Sequence, residues 1–372
     1  MGIERILATY RITASESESR MRAEALAIEQ SVEMPLAAIE DQGVLEAVLA
    51  KVESIHPCAQ RFEVVIGFNP ATTGNEISQL LNILFGNCSL QPEIELVDVT
   101  FPPSYAKAFP GPRFGIEGIR TLTGVKGRAL TCTALKPLGS APERLAQLAR
   151  TFALAKIDIV KDDHGIANQD YAPFAERVAC VQRAITKANR ETGGNTLYAP
   201  TFSGSPRALA EQARIAKDNA VKMALVPPML IGLPAFVELQ VDLDIPIMAH
   251  PAFSGAARIA PPLLLGKLFR MLGADATIFP SYGGRFSFSR DTCLAIAAAA
   301  RAPWESVKPT LAVPAGGMTL ERVEGMISDY GIDTMLLIGG GLLTAREKLL
   351  ERSRDFVQKV SMASRKSVKM PP

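Results

Sequence analysis

The chain has 372 residues, 21% of them charged, and a formal net charge of +2. This near-neutral balance leaves no case for a nucleic-acid-binding or polybasic membrane surface, and no apolar run approaches the roughly 20 residues of a spanning helix. The opening Met1-Gly-Ile-Glu-Arg5 has no signal-peptide pattern, so a cytoplasmic protein is expected, with no nucleic-acid or membrane partner. The cysteines at 58, 88, 132, 180 and 293 are scattered without metal-type spacing and read as reduced and mostly core-packed.

In chain order, Ile3–Thr13 reads as a strand, Ser19–Ser31 as an amphipathic helix, Arg61–Gly67 as a strand, Glu76–Phe85 as a helix and Glu93–Phe101 as a long strand. This is a small α+β domain of ferredoxin-like type, assigned to residues 1–115. The Pro/Gly-rich segment from Phe101 to Pro112 reads as a linker. A second rhythm follows. Strands are predicted at Ala129–Pro137, Ile157–Asp163, Thr196–Ser203, Lys222–Pro227, Ile245–Pro251, Ala276–Pro280, Thr310–Pro314 and Thr334–Ile338. Helical stretches alternate with them: 142–155, 171–192, 206–219, 233–241, 261–272, 288–300, 319–330 and 342–361. Eight βα units in about 245 residues match the count and size of a C-terminal (β/α)8 TIM barrel, assigned to residues 116–372. Arg365–Lys369 reads as a solvated basic end.

In such a barrel the chemistry sits at the C-terminal ends of the strands. The stretch Ile157-Asp-Ile-Val-Lys161-Asp-Asp163-His164-Gly165 ends an apolar run in charged residues. Strand alternation puts Lys161 and Asp163 on one face, Val160 and Asp162 on the other. Buried there, these charges must be paired or hold a metal. Asp163 and His164 are possible metal ligands. Lys161 is either an ion-pair partner of Asp163 or, carbamylated by CO2, an oxygen ligand; spacing does not choose between them. Lys136 could act as a general base, reach solvent or bind phosphate, and His250 could act as acid/base or hold a hydroxyl. Gly316-Gly317 and Gly339-Gly340-Gly341 follow the last two strands, where this fold commonly holds phosphate; alternatively they only make tight turns. Phe253, Met229 and Phe279 could line an apolar pocket or be core.

Taken together, Gly111-Pro-Arg-Phe-Gly-Ile-Glu-Gly-Ile119, Thr131-Cys-Thr133-Ala-Leu-Lys136-Pro137, Lys161-Asp-Asp163, Ile247-Met-Ala-His250, Ala315-Gly-Gly317 and Ile338-Gly-Gly-Gly341 resemble the large-subunit family of RuBisCO. Ala27-Ile-Glu29-Gln-Ser31 and Asn82-Ile-Leu-Phe-Gly86 also fit. The resemblance implies that carbamylated Lys161 and Asp163 bind Mg2+, with His164 in place of an acidic third ligand. It implies that Lys136 moves protons, that His250, Thr133 and Arg285 contact substrate, and that Gly316, Gly317, Gly339 and Gly340 hold a phosphate. Glu29 and Asn82 would come from the neighbouring subunit of a homodimer. The departures are equally specific. Leu138 replaces a second lysine, Pro251 an arginine and Ala315 a serine, and the mobile-loop lysine is missing, with Arg285 a partial substitute. These losses weaken the grip on a second phosphate and remove carboxylation machinery. The expectation is therefore a RuBisCO-like, Mg2+-dependent enzyme on a monophosphorylated sugar or sugar acid, not a carboxylase. Decarboxylation of a 3-oxo sugar-acid phosphate is favoured. An enolase or isomerase of a methylthioribulose-type phosphate is the alternative, and a non-catalytic phosphate-ligand-binding homologue is the rival from another class.

Overall fold

Ile6, Ala8, Tyr10 and Ile12 recur at every second position, and all four are buried on one face of strand β1 (Ile6–Ile12). The computed structural model describes residues 4–305 and 307–369; Ile3, at the head of the first predicted strand, and the Met1-Gly2 start lie outside them. β1 is central in an antiparallel sheet of order β2-β3-β1-β4, with β2 (Lys51–Cys58), β3 (Arg61–Phe68) and β4 (Ile94–Thr100). The helices Glu16–Glu29 and Ile77–Phe85 complete the βαββαβ order of a ferredoxin-like domain. β2 is absent from the prediction for a physical reason. It is an edge strand with no buried residue and a proline at 57, so it lacks the apolar alternation that marks a strand. The predicted linker is also more structured than its composition implies. Pro103–Ala106 is a helix, Tyr105 is buried, and its hydroxyl bonds Thr73 Oγ1 at 2.8 Å.

The chain divides between Phe109 and Pro110, and Ser254–Leu264 belongs with the first unit. Backbone bonds from Leu96 N to Arg258 O and from Ala260 N to Leu96 O hold that segment on the free edge of β4. The division lies before the expected 115/116 boundary because Gly115–Thr123 is a helix whose Ile116 and Ile119 pack into the core of the second unit.

The second unit contains all eight predicted strands: β5 (Leu130–Leu135), β6 (Ile159–Asp162), β7 (Leu197–Ala199), β8 (Ala224–Val226), β9 (Ile247–Ala249), β10 (Ala276–Pro280), β11 (Leu311–Ala315) and β12 (Met335–Leu337). Two parallel four-stranded sheets, β12-β5-β6-β7 and β8-β9-β10-β11, meet through the bridges Thr201–Leu225 and Ala312–Thr334 and close a barrel. Leu130, Cys132, Ile159, Leu197, Leu225, Met248, Ile278 and Val313 fill its interior. These apolar layers leave the strand ends as the place where inward-facing polar groups gather. Among the described residues no helix is long and apolar enough to cross a membrane.

Candidate active site

Ile159 points into the barrel core, so Lys161 and Asp163, two and four residues on, point the same way. Lys161 is 3% exposed and its Nζ donates to the Asp162 carbonyl at 2.9 Å. Burial lowers its pKa, opposed by Cys132 and Asp163. Of the two readings open for Lys161, the ion pair with Asp163 is not made; Lys136 takes that carboxylate, its Nζ 2.6 Å from Asp163 Oδ2. The other carboxylate oxygen takes the His164 amide at 3.1 Å and faces its Nδ1 at 3.3 Å. Burial would raise the Asp163 carboxyl; hydrogen bonds from His164 and Lys136 and the two lysine charges outweigh it, holding it well below the usual carboxylate range.

Asp162 takes the opposite face and is fully buried against Arg177 Nε (3.0 Å), the Tyr198 hydroxyl (2.8 Å) and the Thr201 amide (3.1 Å). The Thr201 hydroxyl in turn bonds the Asp163 carbonyl at 3.1 Å. This outward network holds the strand end that presents Lys161 and Asp163. Arg177 and Tyr198 escape sequence reading because nothing in their local pattern marks them; only the charge at Asp162 signals that a buried partner is needed.

His250 follows β9, and its ring stacks on that of His164 with centroids 4.2 Å apart and planes at 12°. Burial, then the charges of Lys161 and His164, hold its pKa well below the ordinary value. Its Nδ1 accepts from the Ala252 amide at 3.1 Å, which leaves the proton of a neutral ring on Nε2. Gly339 lies beside Lys136: a Cβ there would be 3.8 Å from Lys136 Cε, whereas one at Gly340 would meet nothing within 4 Å. Gly316 and Gly317 have φ of +82° and +86°. A Cβ on Gly317 would come within 2.8 Å of Gly284 Cα, so close approach of the loop after β10 requires this glycine.

The remaining expected site residues have the following surroundings. Thr133 alternates with Cys132 and so faces away from the barrel interior; it is fully buried and its Oγ1 has no hydrogen-bond partner. Arg285 is exposed, its guanidinium 5.5 Å from the Phe286 ring centroid. Phe279 is fully buried against Tyr330, behind the strand rather than inside the barrel. Glu29 and Asn82 belong to the first unit, and Gln30 links their elements: its Nε2 donates to the carbonyls of Asn82 (3.0 Å) and Ile83 (2.9 Å). Glu29 accepts from Asn87 Nδ2 at 2.9 Å.

Among the described residues no three His, Cys, Asp or Glu side chains converge in a set that could hold a metal ion. A hard cation at Asp163 therefore needs another oxygen donor. Lys161 would meet that need as a carbamate, and its burial favours the neutral amine that such a reaction with CO2 uses. A Lys161 carbamate, Asp163 and His164 would be the donor set for Mg2+, with the Asp163 carboxylate free of Lys136.

Residues 115–279 match the family described as ribulose bisphosphate carboxylase large chain, catalytic domain. The chain is 49% identical to ribulose bisphosphate carboxylase-like protein 1 of Rhodopseudomonas palustris, over 96% of this chain and 98% of that one. It is 46% identical to 5-methylthioribulose-1-phosphate isomerase of Rhodospirillum rubrum, over 99% of this chain and all of the relative. It is 33% identical to 2,3-diketo-5-methylthiopentyl-1-phosphate enolase of Geobacillus kaustophilus, over 91% and 87%. The crystal structure of the Rubisco-like protein from Rhodopseudomonas palustris superposes with a TM-score of 0.90 at 47% identity, covering 96% of this chain and 97% of that one. The barrel, the residues at its strand ends and these near full-length similarities lead to one conclusion: the chain belongs to the RuBisCO large-chain family, among its RuBisCO-like proteins.

Proposed function

We propose that the chain is a cytoplasmic isomerase of a thioether ketosugar monophosphate of the 5-methylthioribulose-1-phosphate type. One observation carries the reading: Lys136, 2.6 Å from Asp163, shares the barrel mouth with buried Lys161 and a His250 held neutral. The Lys136 amine and an imidazole can take a proton from the carbon beside a ketone and return it to a neighbouring carbon. The relative named as a 5-methylthioribulose-1-phosphate isomerase, aligned over 99% of this chain, supports the same substrate class.

In this reading the backbone amides around Gly339 and Gly340, with the turn at Gly316-Gly317, hold the phosphate beside Lys136. Lys136, once free of its ion pair with Asp163, is the base, and His250 donates from Nε2 to a substrate oxygen. Lys161 as a carbamate, Asp163 and His164 would hold Mg2+, which when bound supplies Lewis-acid stabilisation of the developing oxyanion. Glu29 and Asn82 are delivered by the first unit of a second copy, so the working unit is a homodimer. Decarboxylation of a 3-oxo sugar-acid phosphate is the weaker reading, because loss of CO2 requires no initial base and the Lys136–Asp163 pair then has no opening role.

The test is NMR of 5-methylthioribulose 1-phosphate in D2O with the purified protein, Mg2+ and bicarbonate. Conversion to an isomer carrying solvent deuterium is expected. CO2 release from a 3-oxo sugar-acid phosphate without such isomerisation would replace this reading with the decarboxylase, and ketone-to-enol conversion of a 2,3-diketo-5-methylthiopentyl phosphate would replace it with the enolase. Binding without any turnover would leave a non-catalytic ligand-binding protein.

A further inference from the structure

A ligand anchored at the glycine loops after β11 and β12 would direct its far end across the barrel mouth, towards strands remote from them in the ring. In the closed order of strands, β8 lies four places from β12 and β9 two places from β11. β8 and β9 are neighbours, and the His250 amide donates to Val226 O at 2.8 Å where both end. The loops that leave them are unusual in composition. From Pro227 to Ala257 the chain has no lysine or arginine, and the two segments following the strands read Pro-Pro-Met-Leu230-Ile-Gly-Leu and Pro-Ala-Phe253. Leu230 is 52% and Phe253 63% exposed. Phe253 also has a φ of +68°, a left-handed conformation that is costly for a bulky residue and persists only where the surroundings impose it. The Ala252 amide bond to His250 Nδ1 closes the turn that leads into this strained residue. A strained, exposed phenyl ring tied by three residues to an active-site imidazole is poorly explained by packing, since so little of it is packed.

We propose that Leu230 and Phe253 determine specificity by receiving the uncharged, apolar end of the substrate, a thioether or alkyl terminus, while the phosphate sits on the glycine loops. The inference rests on the proposed isomerase reading and names the part of the site that selects its substrate. The cation-free loops reject a second phosphate for want of a counter-charge, and the exposed side chains prefer a methylthio group to a hydroxyl because only the former loses unfavourable contact with water.

The experiment is isothermal titration of the full chain with 5-(methylthio)pentyl phosphate, 5-hydroxypentyl phosphate and inorganic phosphate. It needs no turnover, so it fails or succeeds separately from the isomerase assay. The wild type is expected to bind the thioether about tenfold or more tightly than the hydroxyl compound, the usual scale for a small apolar group in a pocket. In Phe253→Gly, which suits a left-handed φ and keeps the fold, and in Leu230→Ser, that ratio falls towards one while inorganic phosphate binds as before. Equal affinities in the wild type, no binding of either compound, or a ratio that survives both substitutions would overturn the proposal. So would variants that lose only dimerisation, which would make this apolar surface a subunit interface.

Discussion

Lys136 and Lys161 stand at the barrel mouth with different surroundings, and the difference predicts different losses. Lys136→Met removes the proposed base and is expected to lower kcat by about a hundredfold to ten-thousandfold with little change in KM. In the reading proposed above, Lys161→Ala removes the carbamate oxygen and should abolish Mg2+ binding, measured by titration of the metal alone. His250 gives a pH prediction. Its folded-state pKa is held below that of the unfolded chain, about 6.5. The unfolded state therefore binds more protons in the window below that value, and the stability associated with a neutral His250 is present above about pH 6.5 and lost as pH falls through the folded pKa. Urea unfolding between pH 7.5 and 5 should show this loss, and His250→Asn should flatten that part of the profile. An unchanged slope in the variant would show that other groups dominate.

At the scale of elements, β6 carries charge on both faces, and the outward charge is the more dangerous one. Asp162 and Arg177 are each 0% exposed, so removing one leaves the other buried and unpaired. Arg177→Ala is expected to cost about 3–5 kcal/mol of unfolding free energy, while breaking an exposed pair such as Arg214–Asp218 should leave stability almost unchanged. Denaturant midpoints of the two variants test the contrast. β5 provides a chemical check on the same interior. Burial pushes the thiols of Cys132 and Cys88 up to about 12, so iodoacetamide at pH 8 should spare both in the native protein and modify the partly exposed Cys58 and Cys180 first.

At the scale of the whole molecule, the proposed homodimer has Glu29 and Asn82 supplied by the neighbouring subunit. Glu29→Gln and Lys161→Ala should each inactivate a homodimer. If they alter different parts of a shared site, mixing equal amounts under subunit exchange makes about half the molecules heterodimers, each with one intact site. Activity should then return to about a quarter of the wild-type level. Recovery no greater than the sum of the two variants would place both residues in one subunit's site or in none. Gln30 enters here as a positioning residue. Buried next to Glu29 in sequence and bonded to the Asn82 carbonyl, it should when changed to Ala weaken the exchange-restored activity along with unit stability.

The sequence by itself determined the eightfold barrel and the parity of Lys161 and Asp163, because strand alternation and βα repetition are local properties that survive without tertiary context. Even the outward face of Thr133 was available by parity, since it lies three residues before Lys136. The edge strand β2 was not, because an exposed strand has no apolar period to read. Tertiary structure alone decided that Asp163 is paired by Lys136, 27 residues earlier, rather than by Lys161, and that His164 stacks on His250. It also decided that Arg177 neutralises Asp162 and that Gln30 joins the elements of Glu29 and Asn82. Each of these is a contact between segments whose approach depends on barrel closure or sheet packing. Sequence spacing specifies which face a side chain takes, but the partner across the barrel is set by how the strands are ordered and staggered around it.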